Sequence, residues 1–198
     1  MTLIRLPRPF STFLKRFRRE DGSMAVEMMI MLPVLIWGLL GTWVFFDAFR
    51  AQFTNAKAGY TLGDILSRET AYITPEYIDS LYELQRFLVG RTDDIRLRVS
   101  VISYDEDDDE HSVVWSVNRG GGGTISDSDL PGMLDRIPIM ADGGRSILVQ
   151  TSVDYVPIYG GGLGEMEFDD FVVTRPRFAA QVCWNSVNEN PTVATATC

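Results

Sequence analysis

The period of the apolar positions changes twice along the chain, and each change marks a different kind of element. Residues 28–46 run 19 positions without a charged side chain. At ~1.5 Å per residue a helix of that run reaches ~28 Å, close to the hydrocarbon thickness of a bilayer. Met24, Ala25 and Val26 extend it on the N-terminal side. Pro33 falls inside the run; it would break a soluble helix, whereas in a membrane helix its kink is tolerated. Gly38 and Gly41 give a smooth surface suited to close packing. Past residue 46, Phe49, Phe53, Ala56, Tyr60 and Gly63 recur at helical steps, while Arg50, Gln52, Asn55, Lys57 and Asp64 fill other faces. This spacing predicts one continuous helix from about residue 23 to about residue 68, ~70 Å long. Its apolar stripe is read as packing on the chain's own sheet, with contact to a partner subunit as the second reading.

A second helix opens at Thr74-Pro75-Glu76, which supplies an N-cap, a first-turn proline and an acid at the positive end of the helix dipole. Tyr77, Leu81, Leu84 and Leu88 are its expected buried face, and Gly90 its expected stop. From Asp94 the period becomes two. Ile95, Leu97, Val99 and Val101 alternate with Arg96, Arg98 and Ser100, a half-buried strand. Residues 113–117 form a second strand, paired with the first across the acidic run 105–110. Glycines 120–123 begin a flexible connection through Asp135, residues 147–156 form a third strand, and 160–164 make a glycine-rich turn. Residues 171–174 and 177–184 give a fourth strand, interrupted at Pro176, and the polar tail 185–198 reads as loop. The expected fold is α+β: a long N-terminal helix, a short second helix and an antiparallel sheet of about four strands. The segments are 1–22, 23–46, 47–70 and 71–198.

Charge adds a direction. The net charge of −9 hides a split. Arg5, Arg8, Lys15, Arg16, Arg18 and Arg19 stand against Glu20 and Asp21 in the leader, whereas residues 47–198 carry 12 basic and 24 acidic side chains. A basic segment before an apolar run stays in the cytoplasm, so the acidic remainder is exported. Phe10, Phe13, Leu14 and Phe17 are spaced for a short surface helix, but Pro7 and Pro9 favour an unstructured basic leader. The apolar run is too long for an ordinary secretory signal, and no small-residue cleavage site follows it. The acidic domain lacks the basic patches that nucleic-acid binding requires.

Little in the exported part suggests chemistry. The acidic run 105–110 has the oxygens for Ca²⁺ but not the glycine or spacing of an EF-hand loop, and reads as a solvated turn. The glycine clusters are not followed by Lys-Ser or Lys-Thr, so they are not phosphate cradles. His111, the single histidine, is expected exposed among acids, and no Gly-x-Ser-x-Gly pattern accompanies it. No feature argues for an enzyme, a cofactor or a metal. Cys183 and Cys198, two cysteines beyond the apolar run, are expected to form one disulfide in an oxidising compartment; two unrelated thiols are the alternative.

Glu27 is the exception. An ionisable group at the head of a membrane run is costly and asks for a partner, unless it merely sits at the interface. A cut between Gly22 and Ser23 would create an amine four residues before Glu27. That amine could neutralise Glu27 of a neighbouring helix and fix the stagger between subunits. A basic leader ending in Gly22, followed by Ser23-Met24-Ala25-Val26-Glu27 and a long apolar helix, resembles a type IV prepilin signal. The fuller run from Phe17 to Glu27, with Met31-Leu32-Pro33-Val34-Leu35 after it, resembles the TadE/TadG-like pseudopilins. Met28 stands where that family commonly has Phe. Ile137-Pro138, Asp142-Gly143, Val149, Val153-Asp154-Tyr155-Val156-Pro157 and Arg175-Pro176-Arg177 extend the likeness along the chain, most specifically over residues 17–50.

The resemblance implies a minor pseudopilin of a tight-adherence (Flp) pilus. Its expected site residues are Gly22 and Ser23 at the cut, Glu27 for processing or subunit contact, and Pro33 at the helix kink. Its expected partners are a prepilin peptidase, other pilins and pilus assembly proteins, and the lipid bilayer. The expected place is the inner membrane, single-pass, with the C-terminal domain periplasmic. The rival expectation is an uncleaved, signal-anchored periplasmic binding domain with no pilus role.

Overall fold

The computed structural model describes residues 23–90, 94–157, 159 and 164–198. The leader 1–22, Gly22 included, and the turn at 160–163 lie outside them. The fold is α+β, in the order α1 (Ser23–Ser67), α2 (Pro75–Val89), β1 (Ile95–Asp105), β2 (Glu110–Arg119), β3 (Arg145–Tyr155), β4 (Met166–Thr174), β5 (Trp184–Asn185) and β6 (Ala196–Thr197). The chain divides into two compact units, Met1–Phe46 and Asp47–Cys198.

In the first unit, α1 carries Pro33 within its span. Its side chains from Met24 through Leu40 are exposed. The helix is long and apolar enough to cross a membrane. Among these apolar side chains Thr42 returns its hydroxyl to the carbonyl of Gly38 at 2.8 Å, so its donor is satisfied within the helix.

In the second unit the four long strands form one antiparallel sheet in the order β2-β1-β3-β4. Leu97 and Val99 lie opposite Thr151 and Val149. Helix-side residues Leu97, Val99, Val101, Ile147, Val149 and Val172 pack with Leu62 and Leu66 of α1 and Ile78 and Leu81 of α2. Of the stripe expected to make this contact, Gly63 lies against the sheet but the aromatics do not. Phe49, Phe53 and Tyr60 are exposed, whereas Ala48, Ala51, Asn55, Ala58, Leu62 and Leu66 are buried. Space is the reason. A Cβ added at Gly59 would stand 3.2 Å from Thr151 Oγ1 and 3.3 Å from Val172 Cγ2. Around Gly59 the helix lies so close to the sheet that only small side chains fit beneath it, and Phe53 and Tyr60 lie on the other side, while Leu62 and Leu66 fill the core further along.

Thr74 caps α2 by accepting from the amide of Tyr77, and Gly90 ends it in the left-handed conformation that glycine adopts without strain. The buried face is Ile78, Leu81, Gln85 and Val89, one position round from the expected Tyr77, Leu84 and Leu88, which are half-buried. Buried Gln85 donates its Nε2 to the carbonyl of Arg96, a contact that hydrophobicity alone does not weigh.

The connection after β2 is packed, not flexible. Ile125, Leu130 and Met140 are buried with Ile102 and Leu148 on the sheet face away from the helices. Short 3₁₀ turns at Asp127–Gly132 and Leu134–Arg136 hold this segment. An irregularity in the β1–β2 register pairs Val101 with Trp115 but Ile102 with Val113. The extra residue, Val114, lets Val113 join the far cluster while Trp115 joins the helix-side core. The fourth strand begins earlier than expected, at Met166, and stops at Thr174. After Pro176, Arg177 gives its amide to the carbonyl of Ser67, so this segment leaves the sheet for the end of α1.

The tail is held more firmly than a loop. Cys183 and Cys198 are bonded, and β5 pairs with β6. Ile73 gives its amide to Cys183 and its carbonyl accepts from Asn185, which ties the α1–α2 connection to the same segment. Trp115 Nε1 donates to the carbonyl of Val182 at 2.8 Å. Closing a loop of this length stabilises by about 3 kcal/mol through the entropy of the unfolded chain. Cys198→Ser should lower the denaturant midpoint of the intact chain by an equivalent of about 2–4 kcal/mol. Guanidinium titration of the detergent-solubilised protein, with and without reductant, measures it; the variant should be insensitive to reductant.

Candidate functional site

The residues singled out by sequence do not converge on a catalytic centre. Gly22 lies outside the described residues. Ser23 begins α1, and Glu27 stands exposed one turn later, with Pro33 further along the same helix. Glu27 is the one charged side chain on the helix between Ser23 and Phe46. The candidate site is therefore a helix surface with a carboxylate at its head.

A second open surface lies on the part of α1 in the Asp47–Cys198 unit. Phe49, Phe53 and Tyr60 project away from the sheet, with Arg50, Gln52 and Lys57 beside them in the sequence. Thr54 and Thr61 bond their hydroxyls to the carbonyls of Arg50 and Lys57. At the start of this unit, the Tyr155 hydroxyl reaches Asp47 at 3.1 Å and its ring packs near Phe168.

Under the helix sits a buried polar group that the sequence reading missed. Asn55 donates Nδ2 to the carbonyls of Thr151 and Phe168, each at 3.1 Å, and so grips β3 and β4 at once. Thr151 and Asp170 face each other across the β3–β4 ladder. The Cβ that Gly59 lacks would lie 3.0 Å from Asp170 Oδ2. Asn55 Oδ1, Thr151 Oγ1 and Asp170 Oδ2 are buried without a hydrogen-bond partner. Burial pushes the Asp170 carboxyl above the usual carboxylate range, against the opposing pull of the Phe171 amide and the Arg136 charge. Asn55, at helical steps from both Ala51 and Ala58, is the available signal, which the aromatic stripe outweighs.

On the opposite sheet face, a cleft of about 350 Å³ is lined by Arg96, Arg98, Arg136, Gln150, Glu167 and Phe171. Its charges are largely spent on its own walls. Arg96 pairs with Asp154 and Glu167. Arg98 donates to Gln150 and to the carbonyls of Gly122 and Gly123. The Arg136 guanidinium lies 4.4 Å from the centre of the Phe171 ring. The glycine run closing this cleft is conformationally obligatory at Gly120, where φ is 77° and a Cβ would collide with the carbonyl of Ile95.

The acidic run forms the β1–β2 turn. Asp105 accepts from the amide of Asp107, Asp109 from the Tyr104 hydroxyl, and Asp142 from the amide of Glu106. No group of three metal-ligating side chains occurs among the described residues. His111 is half-buried with its ring 4.8 Å from that of Tyr104, in place of the exposed, acid-paired state expected. No family model, curated protein or solved structure matches this chain.

The Asp170 environment sets a pH dependence. A carboxyl raised above its unfolded value contributes most to stability below that unfolded value, and the contribution is lost as pH rises through the raised one. Asp170→Asn should therefore be more stable than the natural chain at neutral pH, with the gap closing on acidification into the ordinary carboxylate range. Denaturant midpoints of both proteins across pH 4–8 test this; a gap independent of pH would remove the carboxylate from the account.

Proposed function

We propose that this protein is a minor pseudopilin of a tight-adherence (Flp) pilus, cut between Gly22 and Ser23 and anchored by α1. The observation that carries the reading is Glu27, a carboxylate four residues past the proposed cut at the head of the uncharged apolar run 28–46 of α1. In this reading the basic leader stays in the cytoplasm, a prepilin peptidase removes it, and α1 remains in the inner membrane with the Asp47–Cys198 unit in the periplasm. The Cys183–Cys198 bond fits that oxidising compartment. The protein acts by binding other pilins and assembly proteins, in initiation or assembly of the fibre and so in surface adhesion. Glu27 neutralises the new Ser23 amine of a neighbour, which costs less than leaving either charge alone in lipid. An α+β unit larger than the helix itself suits a priming or tip subunit better than a repeated fibre subunit.

Intact mass of the membrane-extracted chain, expressed with an active or an inactive prepilin peptidase, tests the cut. A chain beginning at Ser23 only with the active enzyme is the expected result; a chain that keeps residues 1–22 beside an active peptidase overturns the reading. Glu27→Ala should still insert in the membrane but lower processing or pilus output, scored by immunoblot and by sheared-fibre yield.

A further inference from the structure

In the cleft on the sheet face away from the helices, charge pairing is complete for Arg96 but not for Arg98 or Arg136. The difference follows the register of the strands. Arg98, Gln150 and Phe171 are direct neighbours on β1, β3 and β4. Arg96, Ser152 and Asp169 form the next row on the same face, ~7 Å along the strands. Both rows line the one cleft, whose volume is about 350 Å³.

At the first row two guanidiniums keep their charge. Arg98 donates to Gln150 Oε1 at 2.9 Å and to the carbonyls of Gly122 and Gly123. These acceptors are neutral. They fix the head of Arg98 without cancelling its charge, and they leave part of its fork of N–H donors unused. Arg136 is exposed and lies over the Phe171 ring, with no hydrogen bond or ion pair among the described residues. At the second row the sign reverses. Arg96 lies 2.5 Å from Asp154 and 2.6 Å from Glu167, so two carboxylates outweigh one guanidinium. Glu167 also accepts from the Ser152 hydroxyl at 2.7 Å. Asp169 adds a third carboxylate, exposed and without a partner among the described residues. The cleft therefore has a cationic end and an anionic end.

We propose that this cleft binds a short peptide by both of its charged ends, the carboxylate at Arg98 and Arg136 and the ammonium at Asp169. The planar fork of an arginine matches a carboxylate in two parallel hydrogen bonds. Length selects the ligand. Two extended residues span ~7 Å, the separation of the rows, whereas a single amino acid is too short to reach both ends. Gln150 sits between the ends, and its Nε2 otherwise reaches only the Met133 sulfur, a weak acceptor, at 3.9 Å. It is thus placed to donate to the carbonyl of the peptide bond. Charge selects as well. A dianion such as phosphate meets the cationic end alone and is repelled by Asp169 and Glu167, whereas a zwitterion satisfies both ends. A cleft of this volume is at the small end of ligand sites and suits a dipeptide. The proposal rests on neither the membrane anchor, the cut nor the pilus.

Isothermal titration calorimetry on the full chain in detergent micelles tests this, with the dipeptide Ala-Ala as the probe. Saturable binding with a Kd of roughly 0.1–1 mM is expected. N-acetyl-Ala-Ala and Ala-Ala-amide each lack one charged end; they and free alanine should bind about tenfold more weakly. Arg136→Gln should weaken Ala-Ala binding about tenfold, with the fold intact by near-UV circular dichroism. Asp169→Asn should abolish the preference for Ala-Ala over its N-acetyl form and keep the preference over its amide. Three results overturn the proposal: no saturable binding of Ala-Ala at ~10 mM, equal binding of the blocked peptides, or undiminished binding to Arg136→Gln. Tighter binding of inorganic phosphate than of Ala-Ala overturns it too, since the cleft would then be a plain anion site.

Discussion

The second unit depends on how closely one helix approaches one sheet. Ala48, Ala51, Asn55, Ala58 and Leu62 are buried, and Gly59 and Gly63 leave no room for a Cβ without tight contact. That closeness fixes which side chains the helix turns inward. It also explains the single polar grip beneath the helix, because Asn55 reaches two strand carbonyls only at short range. Its cost is visible in the same place: three buried oxygens without partners, one of them on a carboxylate held above its usual range. A close-packed helix with an imperfect polar seam gains dispersion contacts along its length and loses hydrogen-bond free energy at one point.

The far face of the sheet is built on the opposite rule. There the chain covers the strands with a segment of short 3₁₀ turns, and apolar anchors such as Ile125, Leu130 and Met140 fix it at intervals. The extra residue at Val114 serves this layer by turning Val113 toward it. Between these anchors the surface carries arginines that pair with carboxylates and loop carbonyls of the same sheet face. That face is ordered by charge pairing within the fold, whereas the open side of the helix is apolar and unmatched.

Much of the fold was legible in the sequence, for reasons that are local. Thr74, Pro75 and Gly90 bracket α2 because caps depend on adjacent backbone groups. The alternation from Ile95 to Val101 gives β1 because one face of a strand meets a core. The bonded cysteines follow from number and expected compartment. What failed was the choice of face. For α1 the aromatics outweighed the alanines in hydrophobicity, yet the spacing of helix and sheet, a tertiary quantity, admitted small side chains around Gly59 and left the aromatics outside. For α2 the buried face turned by one position because Gln85 satisfies the carbonyl of Arg96, a partner 11 residues away. Residues 125–140 read as flexible because their anchors follow neither a helical nor a strand period. At the proposed cut and at Glu27 the proposal rests on local sequence, a leader ending in Gly22 and a carboxylate four residues after Ser23.

The order in which the chain is made bears on the Asn55 grip. Its acceptors belong to Thr151 and Phe168, 96 and 113 residues further along. During vectorial synthesis the early helix must wait for β3 and β4 before its inner face is covered. Contacts of such long sequence separation form slowly, and the exposed segment is open to misassociation in the meantime. The alanine-rich face limits that danger, because it offers little apolar area to a stranger until the strands arrive. The inner face of the helix is thus sealed only once strands made about 100 residues later arrive, and its small side chains guard the interval.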